Sequence, residues 1–183
     1  MGKLIYSTIM SLDGYVNDEE GNFDWAMPSE EVHQFANRLQ RAAGTYLLGR
    51  RLYEVMVWWE TIALENEPPV VREYAMEWRQ AEKIVYSTTL TEVASANTRL
   101  ERTFNPDAVR ALKAASDQDL TIGGPTLAAA AFEAGLIDEC QLIVVPEIVG
   151  GGTRALPDGV RQRFQLHEER RFENGMIYLC YRI

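Results

Sequence analysis

Leu120–Glu139, LTIGGPTLAAAAFEAGLIDE, is the stretch on which the reading of this 183-residue chain turns. Leu120–Ile122 has a short strand pattern, Gly123-Gly124 breaks it, and Thr126–Ala134 follows as a helix that Gly135 stops. Glu139–Pro146 then returns as an apolar strand. Strand, helix and strand in succession, with the strands rich in apolar residues, predict a parallel sheet covered on both faces.

The same grammar extends outward. Lys3–Met10 (KLIYSTIM) reads as a buried strand bounded by the turn signal Asp13-Gly14, and residues 15–27 as a loop. Ser29–Ala43 has helical spacing of Val32, Phe35, Ala36 and Leu39, with Gly44 as its stop. Thr45–Leu48 is a strand, and Gly49-Arg50 opens a helix through about Trp59. Val70–Ala81 follows the Pro68-Pro69 punctuation as a helix, then come strands at Lys83–Ser87 and Thr98–Glu101. Asn105 and Pro106 start a helix running to Ser116. Gly150–Gly152 reads as a flexible loop, and Phe164–Phe172 with Met176–Ile183 as a hairpin across Asn174-Gly175, a type I′ signal. The sum is a single α/β domain over residues 1–183, its mostly parallel sheet closed by an antiparallel hairpin.

Composition narrows the functions. Eighteen Lys and Arg against 27 Asp and Glu give a net charge of -9, which disfavours nucleic acid and anionic membrane, since both demand clustered cations. There is no apolar run long enough to span a bilayer. The N-terminus alternates like a strand rather than a signal peptide, so a cytoplasmic chain is expected. Cys140 and Cys180 read as buried reduced thiols. Without CxxC, HxxxH or HxE no metal site is expected, and His33 and His167 have no nucleophile-elbow serine to serve.

Three strand ends carry the chemistry: Gly49-Arg50-Arg51, Ser87-Thr88, and Gly123-Gly124-Pro125-Thr126. Open α/β sheets bind ligands beyond the carboxyl ends of their strands. A helix start there offers free N–H groups and partial positive charge, and glycine lets a phosphate approach. Arginines and hydroxyls at neighbouring ends suit a nucleotide with an extra phosphate, NADP rather than NAD. Taken singly, each is equally a tight turn or a surface cation. The GxGxxG fingerprint is missing.

MSLDGYV, LLGRRLYE, KIVYSTTL, the 120–139 stretch and LIVVPEIVGGGTRAL together resemble the dihydrofolate-reductase-like family. The nearest branch is the reductase domain of bacterial bifunctional riboflavin-biosynthesis deaminase-reductases and its stand-alone relatives. The resemblance runs in order from Lys3 to Ile183. It implies a three-layer fold with an eight-stranded, mostly parallel sheet and an antiparallel C-terminal strand. It also implies NADPH as hydride donor and a pyrimidine- or pteridine-type heterocycle as substrate, as in 5-amino-6-(5-phosphoribosylamino)uracil reductase. Carried across, Gly49, Arg50 and Arg51 match the phosphate-binding helix start, and Ser87 and Thr88 the strand end that takes the 2′-phosphate. Gly123, Gly124, Pro125, Thr126 and Leu127 match the pyrophosphate turn. Ile9 and Gly14 match positions near the nicotinamide, and Asp13 the acidic residue of the first loop, where substrate approaches. Leu52 departs from the family's usual threonine, removing one hydroxyl donor worth about 1 kcal/mol. The zinc deaminase half is missing.

A proton donor is less plainly marked. Glu31 lies at the edge of the apolar face of its helix and Glu30 opposite it, so Glu31 is the better placed; both also suit the helix dipole. Asp13 reads equally as an acid and as an Asp-Gly turn bonded to its own backbone. Trp25 is positioned to cover a flat ring, and Gly151 in the glycine run either wraps a substrate phosphate or turns the chain. Arg154 is an isolated cation near the mouth. Tyr53, Trp58, Trp59, Tyr74 and Trp78 read as core or contacts in a homodimer. Dihydrofolate reduction proper and a non-catalytic nucleotide-binding homodimer are the competing readings.

Overall fold

The computed structural model describes residues 1–183. Ten strands form: β1 (Leu4–Ser11), β2 (Tyr15–Asn17), β3 (Ala43–Gly49), β4 (Glu82–Tyr86), β5 (Thr98–Glu101), β6 (Asp119–Gly123), β7 (Glu139–Val145), β8 (Thr153–Arg154), β9 (Gln165–Arg171) and β10 (Ile177–Arg182). Six helices intervene: α1 (Glu30–Gln40), α2 (Arg50–Met56), α3 (Trp58–Thr61), α4 (Pro69–Gln80), α5 (Pro106–Ala115) and α6 (Pro125–Glu133). Eight strands make one sheet in the order β5-β4-β3-β6-β1-β7-β10-β9, while β2 and β8 form a separate ribbon. All pairs from β5 to β7 are parallel, and β10 runs antiparallel to both of its neighbours. This is the expected eight-stranded architecture with its antiparallel C-terminal strand.

Burial explains the layering. β1 is central, flanked by β6 and β7, and its side chains alternate between two cores. Leu4 and Tyr6 join Leu120, Ile122, Leu127, Ala128, Ala131 and Phe132 beneath α5 and α6. On the other face, α1 sets Val32 and Phe35 against Ile143, Phe172 and Tyr178, and α2 to α4 cover Tyr46, Leu48 and Val85. No helix is long and apolar enough to cross a membrane. Cys140 and Cys180 belong to clusters on opposite faces of the sheet.

Local chemistry sets the ends. Ser29 Oγ accepts from the Val32 N–H at 3.4 Å, and Asn105 Oδ1 from those of Asp107 and Ala108, capping α1 and α5. Gly135, at φ 62°, closes α6 in a Schellman arrangement: its N–H donates to Phe132 O and that of Leu136 to Ala131 O.

Four expectations are corrected. The 15–27 loop contains β2 and a single 3₁₀ turn at Asp24–Ala26, because its backbone pairs with β8, far along the chain. α1 stops at Gln40, not Ala43; Gly44 lies inside β3, which begins at Ala43. The helix from Gly49 breaks at Val57, where bonding shifts from Val57 N–H to Tyr53 O to the tighter Glu60 N–H to Val57 O. The terminal turn is not type I′. Asn174 has no positive φ, and the Gly175 N–H donates to Phe172 O, so a type I turn is followed by a left-handed glycine at φ 87°.

Candidate active site

Parallel pairing brings the carboxyl ends of β4, β3, β6, β1 and β7 to one edge in that order. Ser87, Gly49, Gly123, the 11–14 turn and the 146–150 segment therefore lie side by side. From β4 to β1 the track covers three strand spacings, about 14 Å.

Its centre is where two helix starts meet. Gly124 is the residue before α6 and adopts φ 91°, ψ 114°, a conformation that excludes side-chain-bearing residues without strain. Pro125 has no N–H, so the N–H groups of Thr126 and Leu127 are the donors that the start of α6 presents. Leu127 offers only that backbone group, since its side chain is buried in the core. A Cβ on Gly124 would sit 3.5 Å from Gly49 Cα, so the two turns abut. One on Gly123 would meet Leu52 Cδ2 at 2.4 Å; the leucine at this departure from the family pattern packs onto the glycine.

Cations and hydroxyls collect at the β4 side. Arg50 Nη1 donates to Thr89 Oγ1 at 2.7 Å and Nε lies 3.2 Å from Glu54. The buried Ser87 Oγ accepts from the N–H groups of Thr89 and Leu90, leaving its own proton to donate outward. Thr88 is exposed beside it. Arg102, a residue sequence reading missed, donates to Ser87 O at 3.1 Å and to Leu90 O. The pairing Tyr86↔Glu101 is what puts residue 102 next to Ser87, and a register cannot be read from so short an edge strand. Arg51 faces the other way, into a polar cleft of about 460 Å³ shared with Asp18, Glu19, Glu20 and Gly152.

At the β1 end, the candidate acids are tied into the scaffold. Asp13 Oδ1 accepts from Ser11 Oγ at 2.7 Å and Val149 N–H at 3.2 Å, and Oδ2 from Gly150 N–H at 2.8 Å. The Ser11 hydroxyl first, then these amides, hold its carboxyl below the usual carboxylate range. Held this way, Asp13 staples the first turn to the 147–150 loop. Glu31 is held likewise: it accepts from Glu173 N–H and from Arg170 Nη2 at 3.0 Å, and these lower its pKa. It anchors the terminal hairpin. His33 is half-buried edge-on to Trp59 at 5.9 Å, and burial keeps its pKa low despite Glu73 nearby.

Ile9 and Trp25 pack against the same cluster below α1, which places the indole beside the first strand. Gly14 is left-handed, and its carbonyl accepts from Ala155 N–H. Gly151 and Gly152 are not a loose loop. A Cβ on Gly152 would meet Asn17 O at 1.9 Å and one on Gly151 Glu19 Oε1 at 2.6 Å, so the run exists to dock under the 15–21 segment. Arg154 stacks over Tyr15 at 5.5 Å and pairs with Asp158. No cluster of His, Cys, Asp or Glu with the makings of a metal site is present.

Comparison with known proteins agrees with this fold. The family described as the RibD C-terminal domain matches residues 2–178. Protein YyaP of Bacillus subtilis is 26% identical over 184 residues, covering 98% of this chain and 94% of its own. Among solved structures, a Shewanella sp. PV-4 protein named for riboflavin biosynthesis superposes with a TM-score of 0.76 at 21% identity, over 98% of each chain. Dihydrofolate reductase from Enterococcus faecalis, solved with NADP(H), gives 0.63 at 14% identity over 99% and 96% of the two chains. These likenesses establish a dihydrofolate-reductase-like fold.

Proposed function

The chain belongs to the RibD C-terminal domain family, and from that premise we propose that it is an NADPH-dependent reductase acting on a pyrimidine- or pteridine-type heterocycle. The observation that carries the reading is the meeting of the Gly124 turn with Gly49 at the centre of the carboxyl edge, where two helix starts abut and neither has a side-chain cap. Gly123, Gly124 and the N–H groups of Thr126 and Leu127 would hold a pyrophosphate, with Gly49 on the facing helix. Arg50, Ser87, Thr88 and Arg102 would hold a 2′-phosphate, the feature that separates NADPH from NADH. Ile9, Gly14 and Trp25 would border the ring end.

Bound there, the nicotinamide supplies the hydride. The protein's share is orientation and exclusion of water by the 15–27 segment, which the β2–β8 ribbon and the glycine run hold down. The proton that completes reduction comes from solvent or from an acid such as Asp13 at the end of β1. The chain acts as a single cytoplasmic domain and as a homodimer, a reading supported by the 52% exposed Trp58 and by the uncovered edge strand β9.

Titration with NADPH and NADH, followed by tryptophan quenching, tests the assignment. NADPH is expected to bind at least tenfold tighter than NADH, one charge-assisted contact being worth about 1.5–3 kcal/mol. Arg50→Ala should remove most of that preference and leave NADH affinity unchanged. Equal affinities for the two nucleotides would refute the 2′-phosphate site, and no saturable binding of either would sink the reductase reading.

A further inference from the structure

The sheet loses its cover on one side where the chain turns antiparallel. Parallel strands need crossover helices, and α5 and α6 are of that kind; the β9–β10 hairpin brings no helix of its own. On the α5 and α6 side, the register sets Tyr181 between Cys140 and Leu166, and Leu179 between Leu142 and Glu169. Burial falls away from β7 outward. Cys140 and Leu142 are 3% and 6% exposed, Tyr181 and Leu179 are partly buried at the margin of the same core, and Leu166 is 50% exposed. The opposite face of β10 is closed, with Tyr178 and Cys180 each 1% exposed beneath α1.

A sheet with one solvated face alternates apolar and polar residues along its strands. β10 does not: Ile177, Leu179 and Tyr181 occupy the open face, and Ile177 is 42% exposed. With Leu166 beside Tyr181 they form a continuous apolar strip bordered by charge, the mark of a surface that another molecule covers. The border says which molecule. Glu169 and Arg171 lie on this face, opposite Leu179 and Ile177, about 7 Å apart along β9. Neither is ion-paired within the chain, whereas Arg170 between them points to the other face and is taken by Glu31. A twofold axis that sets Glu169 against the partner's Arg171 sets Arg171 against the partner's Glu169 in the same step. The pattern is complementary to itself, and so selects a second copy of this chain.

We propose that two copies pack through the open face of β9 and β10, with Leu166, Ile177, Leu179 and Tyr181 at the apolar centre and Glu169 and Arg171 pairing across the twofold. Two sheets then lie face to face, about 10 Å apart. Trp58 packs on Trp59 on the α1 side of the sheet and takes no part. The assignment rests on the homodimer reading and names its interface; the reductase reading is independent of it.

Sedimentation equilibrium of the full chain, from about 0.1 to 100 μM, reads the association. Wild type is expected to be dimeric at the upper end of that range. Ile177→Lys and Leu166→Lys should each weaken the dimer at least tenfold, with the circular dichroism of the wild type retained. If Ile177→Lys does not fold, Leu166→Lys and the charge variants decide. Arg171→Glu should weaken the dimer several-fold to tenfold by bringing like charges together. Adding Glu169→Arg to the same chain should recover most of that loss, which a merely loosened strand would not do. Trp58→Ala should leave the dimer unchanged. A dimer indifferent to the Lys variants, or one that Trp58→Ala dissociates, would overturn the proposed face and leave the homodimer reading standing. A doubly substituted chain no tighter than Arg171→Glu would overturn the twofold pairing of the charges. A wild type that stays monomeric throughout would overturn the face and the homodimer reading together.

Discussion

Glu139→Ala is expected to lower the stability of the fold by about 3 kcal/mol, and the midpoint of thermal unfolding by about 10 °C. Glu139 opens β7 at the end of the sheet opposite the candidate site, with its side chain 4% exposed. Burial alone would favour the neutral acid. Against it stand hydrogen bonds from Gln141 at 2.8 Å and Arg182 Nε at 2.7 Å, a contact from Cys180, and the charge of Lys3 at 3.4 Å. These win, and hold the carboxyl at about 2. Alanine removes the acceptor that Lys3, Gln141 and Arg182 share and leaves Gln141 buried without its partner. Lys3 and Arg182, each about two-fifths exposed, can turn to water, which keeps the loss at the lower end for a broken buried pair.

The pH dependence has a definite sign. A carboxyl whose pKa falls on folding contributes stability that is complete above its unfolded value and disappears as pH drops toward the folded one. For Glu139 that window runs from about pH 5 down to about 2. Guanidinium chloride unfolding across this range should show wild type losing stability more steeply than Glu139→Gln, which keeps an acceptor but cannot titrate. Parallel profiles for the two proteins would show that the carboxylate does not carry the effect.

Legibility in the sequence followed the range of the interactions. Gly49, Ser87 and Gly123-Gly124 were readable because each sits where one strand pattern ends and the next element begins, and parallel pairing then aligns such ends without further information. The β2–β8 ribbon was not, because three residues pair with two across most of the chain and show no periodicity. Asp13 has the same cause behind it. Its partners Val149 and Gly150 are 136 and 137 positions away, so a turn-forming aspartate and a long-range staple look alike locally. The glycine run was read as a flexible loop, whereas a Cβ on Gly151 or Gly152 would meet Glu19 or Asn17 of the 15–21 segment.

Gly124→Val should abolish high-affinity NADPH binding, with a loss of at least a hundredfold, while the protein stays folded. Two costs arise at one residue. A φ of 91° costs a side-chain-bearing residue about 1–2 kcal/mol, and more when it is β-branched. The added atoms also press on Gly49, whose Cα and N are already 3.5 Å from the first of them. Both helix starts must then part, and donors displaced by even 1 Å no longer converge on one phosphate. Since Gly124 is at the sheet edge and outside the core clusters, the fold should lose only a few degrees of thermal stability. Gly49→Ala separates the causes. Gly49 has an ordinary φ of -70°, and its Cβ would find nothing nearer than 3.6 Å, so the alanine variant should be as stable as wild type within about 0.5 kcal/mol. A fall in NADPH affinity there would report the ligand's own approach to the backbone, free of strain. Wild-type affinity in Gly124→Val would mean that the nucleotide does not bind across the two glycine turns, and the cofactor site would have to be sought elsewhere along the carboxyl edge.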